Sequence, residues 1–150
     1  MLLRQALVFL HLAGVIVWVG GMVFAYVCLR PAAAQVLPPP QRLPLWVAVF
    51  ARFFPLVALA VVVILASGLT LLAQTGFARA PLGWHLMLLL GLVMAGVFGV
   101  ILFAFYPRLR RHCEAADWPA AAAALNRIRQ GVALNLLLAL CTLAAALSAR

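Results

Sequence analysis

The sequence contains very few acidic residues and no lysine. Its 150 residues include two acidic side chains, Glu114 and Asp117, so arginine alone supplies the formal net charge of +9. Only 9% of the residues are charged and 69% are hydrophobic, whereas a soluble globular domain is about a quarter charged and about half apolar. This composition excludes an ordinary soluble domain. It also excludes a carboxylate proton relay or an acidic metal cage, because both acidic residues lie outside the apolar runs.

Several familiar signatures are also missing from the sequence. It has no P-loop, no G-x-S-x-G and no G-x-G-x-x-G. Its three cysteines form no C-x-x-C pair, so the sequence indicates neither a disulfide framework nor a cysteine metal site. The arginines lie between long apolar runs and not over one solvated face, which favours membrane-flanking charge over nucleic-acid binding.

The chain does have four long apolar runs, at residues 5–29, 53–75, 82–106 and 131–148. A helix needs about 20 residues to cross the hydrocarbon core of a bilayer. The first run is too long for a signal peptide, whose apolar core spans only about 7–15 residues. The sequence therefore predicts an all-α membrane protein with one domain, residues 1–150, that forms an antiparallel bundle of four transmembrane helices in the lipid bilayer.

Prolines are expected to shape the first connection. Pro31, the run at residues 38–40 and Pro44 predict an irregular segment after the first span. Residues 43–52 are then expected to lie along the membrane interface as an amphipathic turn of helix before the second span begins.

The third connection carries its own boundary signals. Pro107 is expected to close the third span. Asp117 precedes Trp118 and Pro119, a pattern typical of an N-cap followed by proline in the first helical turn. The fourth helix is therefore expected to begin near Trp118 and to enter the membrane after Arg129.

The arginines predict an orientation. The first and third connections carry eight of them, Arg30, Arg42, Arg52, Arg108, Arg110, Arg111, Arg127 and Arg129. The opposite side carries three, Arg4, Arg79 and Arg150. The positive-inside rule places the eight in the cytoplasm, so both termini and the second connection are expected in the periplasm of a bacterial inner membrane.

Two histidines lie inside the predicted spans. His11 and His85 are each a few residues from the periplasmic end of a span, at depths of roughly 5–9 Å. An ionisable side chain inside a span is costly and is by default a functional candidate, and two imidazoles at matching depth can ligate one metal centre. The alternative is that each histidine only holds helices together through a hydrogen bond.

The surroundings of His11 suggest a flat ligand. Three residues follow it at helical spacing on the same face: Gly14, Trp18 and Gly21. Glycines there permit a close approach, either by a neighbouring helix or by a planar cofactor. Together with His11 and His85 as axial ligands, this face predicts b-type haem, with a redox or electron-transfer role and a redox partner that the sequence does not name.

A second interpretation uses thioethers. Met22, Met87 and Met94 lie in the first and third spans, and thioethers prefer Cu(I). The same histidine pair with these methionines would form a copper route, although methionine is also a common filler of apolar bundles. A third interpretation is an accessory subunit without a ligand. If the histidines meet only across a subunit interface, the metal site requires a homo-oligomer.

Three segments resemble a known family. Residues 10–31, with the His-x6-Trp-x2-Gly pattern that begins at His11, look like the first helix of bacterial CopD-family membrane proteins, which are named for copper resistance. Residues 83–89 and 125–135 also resemble the short, single-domain members of that family. Larger members are associated with copper movement across the inner membrane, so the resemblance implies a copper-related membrane protein.

The first-helix pattern is also distantly similar to the HemJ-type protoporphyrinogen oxidases, which are thought to hold b-type haem. Those enzymes carry His-x-Lys on the later helix, whereas this sequence has His85-Leu86-Met87 and no lysine. The oxidase activity is therefore not carried over, and whether the chain is a haem-dependent oxidoreductase stays open.

Overall fold

The structure is a computed structural model that describes residues 1–148, so Arg150, one of the three arginines counted on the opposite side, lies outside it. The described residues form four long helices, without strands: α1 Leu2–Val36, α2 Pro39–Thr75, α3 Leu82–Glu114 and α4 Trp118–Ser148. A single 3-10 turn, Phe77–Arg79, lies between α2 and α3. Each long helix is apolar enough to cross a membrane. The predicted all-α membrane bundle is confirmed.

The four helices pack as two hairpins. α1 packs mainly against α2, and α3 packs mainly against α4. Aromatic side chains join the hairpins in the core: the Phe98 ring on α3 lies 6.2 Å from the Trp18 ring on α1 and 5.7 Å from the Phe54 ring on α2. Edge-to-face contacts of this kind stabilise a core beyond the area they bury. They fix how the two hairpins face each other.

The first connection is helical, so the predictions of an irregular segment and of an interfacial helix were wrong. Only residues 37–38 separate α1 from α2, and residues 43–52 belong to the continuous helix α2. A proline at one of the first positions of a helix costs nothing, because the N–H that it lacks would have no hydrogen-bond partner there. Leu43, Trp46 and Phe50 are buried in the bundle, so tertiary packing holds this segment in the helix.

Pro44 and Pro55 lie inside α2, and prolines also lie inside α1 and α3. α1 continues past Pro31, and α3 continues past Pro107, which was expected to close the third span. A π-helical segment precedes each of these last two prolines, Phe24–Leu29 in α1 and Ile101–Phe105 in α3. In a π turn each backbone N–H bonds to the carbonyl five residues earlier and not to the carbonyl four residues earlier. The helix therefore continues although proline has no N–H.

The predicted start of the fourth helix is confirmed. α4 begins at Trp118, and the Asp117 carboxylate accepts a hydrogen bond of 3.1 Å from the Ala120 N–H. Just before this N-cap, Ala116 adopts a positive φ of 53°. Its N–H donates to the Cys113 carbonyl, and the Asp117 N–H donates to the His112 carbonyl. These bonds form a Schellman-type end to α3.

The helices are longer than a membrane requires. At 1.5 Å per residue they extend about 45–55 Å, whereas the hydrocarbon core is about 30 Å thick. The excess lies beyond the predicted spans, on the side of the eight arginines, and we call it the basic layer: residues 30–36, 39–52, 107–114 and 118–130. It contains several of the most completely buried apolar side chains, namely Leu43, Leu109, Ala121, Leu125 and Ile128.

Candidate functional site

His11 is attached to the neighbouring helix. It is half-buried on α1, and its Nδ1 lies 3.1 Å from the Ile64 carbonyl and 3.0 Å from the Ser67 hydroxyl, both on α2. Because a carbonyl can only accept, Nδ1 carries the proton and donates it to α2. The Ser67 hydroxyl in turn donates to the Val63 carbonyl at 2.6 Å. This tautomer leaves the lone pair on Nε2, which is the arrangement found in metal-ligating histidines.

The glycines beside His11 serve helix packing. A methyl group placed on Gly14 would lie 2.8 Å from Cγ1 of Ile64 and 3.2 Å from the Ala60 carbonyl oxygen, and one on Gly21 would overlap the Phe53 ring. Small residues allow this close approach of two membrane helices. Of the two occupants the sequence permitted for this face, a helix or a planar cofactor, the structure has the helix.

His85 has different partners. It is half-buried near the start of α3, and its Nδ1 lies 3.3 Å from the Pro81 carbonyl of its own first turn. Its ring lies 6.0 Å from the Phe77 ring. His11 contacts the middle of α2, whereas His85 contacts the segment that follows α2. The two histidines therefore share none of these partners, and their meeting at one metal stays a prediction.

Two of the three methionines are core residues. Met22 and Met94 are each only 4% exposed, whereas Met87 is half-buried. The Met94 sulfur lies 4.0 Å from the Thr142 hydroxyl, which donates its proton to the Leu138 carbonyl at 2.8 Å. The Met94 carbonyl accepts a 3.2 Å hydrogen bond from the Asn135 amide. The side of α3 that carries Met94 is thus tied to α4 by polar contacts in the bundle interior.

A small cavity lies between the two hairpins. Its volume is about 30 Å³, and its walls include Trp18, Met22, Phe98, Ile101 and Asn135. The Asn135 side chain is 1% exposed, and its Oδ1 has no hydrogen-bond partner. A buried polar atom without a partner costs free energy and calls for an explanation. A cavity of this size beside Asn135 can hold a single small guest.

The sequence alone indicates no function for Asn135 or Ser67. Asn135 lies at the end of a segment that resembles the CopD family. A polar side chain inside an apolar run was the available signal for both residues. The sequence could not show which of the polar residues in the spans turn inward, because the apolar periodicity of membrane helices does not distinguish the interior from the lipid face.

The spaces in the bundle do not fit haem between His11 and His85. The 30 Å³ cavity is far too small for a porphyrin, and neither histidine lines it. A larger groove of about 380 Å³ lies in the basic layer, beside Tyr106 and Cys113, and contains no histidine. Within residues 1–148 no three His, Cys, Asp or Glu side chains come together as a metal site. The preference for haem therefore gains no support.

Comparison with known proteins identifies a family. The protein-family model described as copper resistance protein D, CopD, matches residues 47–149, which is more than half of the chain. The matched segment includes His85, Met94 and Asn135 but not His11. No curated protein and no solved structure matches the chain. The distant similarity to the HemJ-type oxidases stays a prediction.

Proposed function

This chain belongs to the copper resistance protein D family, and we propose that it is a copper-handling protein that takes Cu(I) as cargo into the interior of its helix bundle. It is a multi-pass membrane protein. We place it in the bacterial inner membrane with both termini in the periplasm, because eight of the eleven arginines lie on one side of the predicted spans.

The observation that carries this proposal is the burial of two thioethers in one core. Met22 and Met94 belong to the same buried cluster, and Met22 lines the cavity that Asn135 also lines. Thioether sulfur is a soft ligand that favours Cu(I), and it carries no charge that would have to be buried. The indole of Trp18 lines the same cavity, and an aromatic face attracts a cation.

His11 is suited to be the first ligand that copper meets from the predicted periplasmic side. Its Nδ1–H is fixed by Ile64 and Ser67, so its unprotonated Nε2 is available to a metal ion. His85 is the second predicted ligand at that end of the bundle. The histidine pair remains a proposal. The proposed role of the buried methionines in Cu(I) binding does not depend on it.

Irregular helix turns border the cavity. The π-helical segment Ile16–Gly20 contains Trp18, and the segment Ile101–Phe105 begins at Ile101, so both turns supply cavity-lining residues. π turns are rare and occur often at functional sites, because they displace side chains from regular helical positions. Their presence on both hairpins at one cavity supports a binding role for this part of the bundle.

The proposal is tested with protein purified in mild detergent. We expect a spectrum without a Soret band and Cu(I) bound in competition with a chromogenic chelator. Met22→Leu and Met94→Leu should each weaken Cu(I) binding at least about tenfold, because leucine keeps the volume but removes the ligand. The free energy of unfolding should change by less than about 1.5 kcal/mol in each variant.

Met87→Leu is the matched control, since this methionine is half-buried and lies outside the buried cluster. It should bind copper like the parent protein. A parent protein that binds no Cu(I), or core variants that bind it as tightly as the control, would refute a role for the buried thioethers. A Soret band lost in both His11→Ala and His85→Ala would restore the haem interpretation.

A further inference from the structure

Three arginines converge where α1, α2 and α4 meet in the basic layer. Arg30, Arg42 and Arg129 are all half-buried on helices that contact one another, and burial together with the nearby positive charges of Arg30 and Arg42 lowers the pKa of Arg129. The Arg30 guanidinium lies over the Tyr26 ring, 5.0 Å from its centre. Bringing three like charges together away from bulk water is unfavourable unless a negative charge offsets it.

Donors in this cluster lack acceptors. The Nε atoms of Arg42 and Arg129 are buried and have no hydrogen-bond partner. The same is true of the indole Nε1 of Trp46, a side chain only 4% exposed that follows Arg42 by one helical turn on the same face. Arg42 also donates from Nη1 to the Ala34 carbonyl at 3.5 Å, near the end of α1. That single long bond leaves the buried donors unsatisfied.

The side chains of this protein cannot supply the missing negative charge. The sequence has only two acidic residues. Glu114 is paired with Arg110 at 2.8 Å, and Asp117 caps α4 and faces His112 at 3.7 Å. No side-chain carboxylate is therefore left for the arginine cluster, and balancing its charge would require an anion that the side chains do not supply.

We propose that Arg30, Arg42 and Arg129, with the Trp46 indole, form a binding site for a phosphate oxyanion. Arginine presents a planar fork of N–H donors that matches phosphate oxygens, and such charge-assisted bonds are short and strong. Arg30 directly follows the first predicted span, and Arg129 lies two residues before the fourth begins. This is the depth of lipid headgroups, where basic pockets between helices bind anionic phospholipids. Free phosphate from the cytoplasm presents the same oxygens.

The test measures thermal unfolding of the full chain in mild detergent, with added phosphatidylglycerol, phosphatidylcholine or inorganic phosphate. We expect phosphatidylglycerol to raise the unfolding temperature in a saturable way and phosphatidylcholine to have little effect. Stabilisation by inorganic phosphate alone would identify the free ion as the source. The double variant Arg42→Gln with Arg129→Gln should weaken binding of the effective anion at least about tenfold, since it removes charge-assisted bonds.

The matched control is Arg108→Gln with Arg127→Gln, which removes the same charge from exposed positions of the basic layer. It should keep the saturable stabilisation. Without any anion, the cluster variant should unfold at the same or a higher temperature than the parent, because repulsion has been relieved. A variant that fails to fold without anion, equal losses in both double variants, or no stabilisation by either phosphate source would each overturn the proposal.

Discussion

At the scale of single residues, the structure separates two histidines that look alike in the sequence. His11 bonds to a neighbouring helix, whereas His85 bonds to a carbonyl of its own first turn. Only the first of these bonds crosses an interface between helices. The same imidazole group therefore contributes differently to the stability of the bundle at the two positions.

We expect His11→Ala to cost about 1–2 kcal/mol of bundle stability, the usual worth of an interhelical hydrogen bond in a membrane. His85→Ala should cost less, about 0.5–1 kcal/mol, because it loses only a bond within its own first turn and the ring contact with Phe77. Reversible unfolding in denaturing detergent, followed by tryptophan fluorescence, measures both. Equal and large losses would mean that His85 also connects helices in solution.

Gly14 is the second residue that carries an energetic prediction. Gly14→Ala places a methyl group 2.8 Å from Ile64 and 3.2 Å from the Ala60 carbonyl oxygen, so α1 must move away from α2. We expect a loss of about 1–3 kcal/mol from overpacking. Detergent unfolding again provides the measurement.

Gly20→Ala is the control for that prediction, because nothing lies within 4 Å of a methyl group at this position. Alanine lowers the entropy that a helical glycine loses on folding, so this variant should gain about 0.5–1 kcal/mol. If both variants shift stability in the same direction, close packing at Gly14 does not limit the approach of the two helices.

At the scale of elements, the four helices extend beyond the predicted spans into the basic layer. Each helix continues past its apolar run, and the extensions pack around Leu43, Leu109 and Ile128, which are almost completely buried. In the membrane part, many large apolar side chains face outward instead, such as Phe9 and Phe103. The basic layer thus packs around buried side chains as a water-soluble bundle does. The membrane part has a buried core as well, and its outer surface is apolar and faces lipid.

The connection between α3 and α4 offers a test of this layer. Ala116 has a φ of 53°, a conformation that costs an L-residue about 1–2 kcal/mol and costs glycine nothing. After subtraction of the greater chain entropy of glycine, Ala116→Gly should stabilise the protein by about 0.5–1 kcal/mol. Thermal unfolding in detergent measures the change.

Ala115 is the neighbouring control, with ordinary helical φ of −83°. Ala115→Gly should lose about 0.5–1 kcal/mol, because the glycine brings only its entropic cost. A stabilising effect of glycine at both positions would show that the turn does not hold Ala116 in the left-handed region.

At the scale of the whole molecule, copper handling depends on the orientation of the bundle in the membrane. The side on which His11 lies determines which compartment would deliver copper to it. The arginine distribution predicts the periplasm for this end and the cytoplasm for the basic layer. The same distribution places the proposed phosphate site in the cytoplasmic leaflet.

Single cysteines in a cysteine-free background test this topology. Ala78→Cys lies in the exposed second connection and Ala115→Cys in the exposed third connection. A membrane-impermeant maleimide should label Ala78→Cys in cells with a permeabilised outer membrane, and Ala115→Cys only after the inner membrane is opened. The reverse pattern, or a C-terminal fusion at Arg150 that is active only in the cytoplasm, would invert the orientation.

The sequence by itself determined the class of protein, the number of helices and the start of α4. Long apolar runs have one stable outcome in lipid, because a helix satisfies its own backbone hydrogen bonds. The Asp117 N-cap is equally local, since its carboxylate bonds to an N–H three residues away. Such features depend on neighbours along the chain, which the sequence displays directly.

Only the tertiary structure decided which helix face meets which. Proline positions indicated breaks, yet the helices are continuous. Side chains pack around Trp46 and Leu109, and π turns lie within α1 and α3. The glycine face beside His11 was compatible with a helix or a cofactor, and in the structure Gly14 packs closely on Ile64 of α2. The partners of Asn135 and the convergence of three arginines likewise depend on residues far apart in the chain. Apolar periodicity cannot identify such partners, because in a membrane both the interior and the lipid-facing surface are apolar.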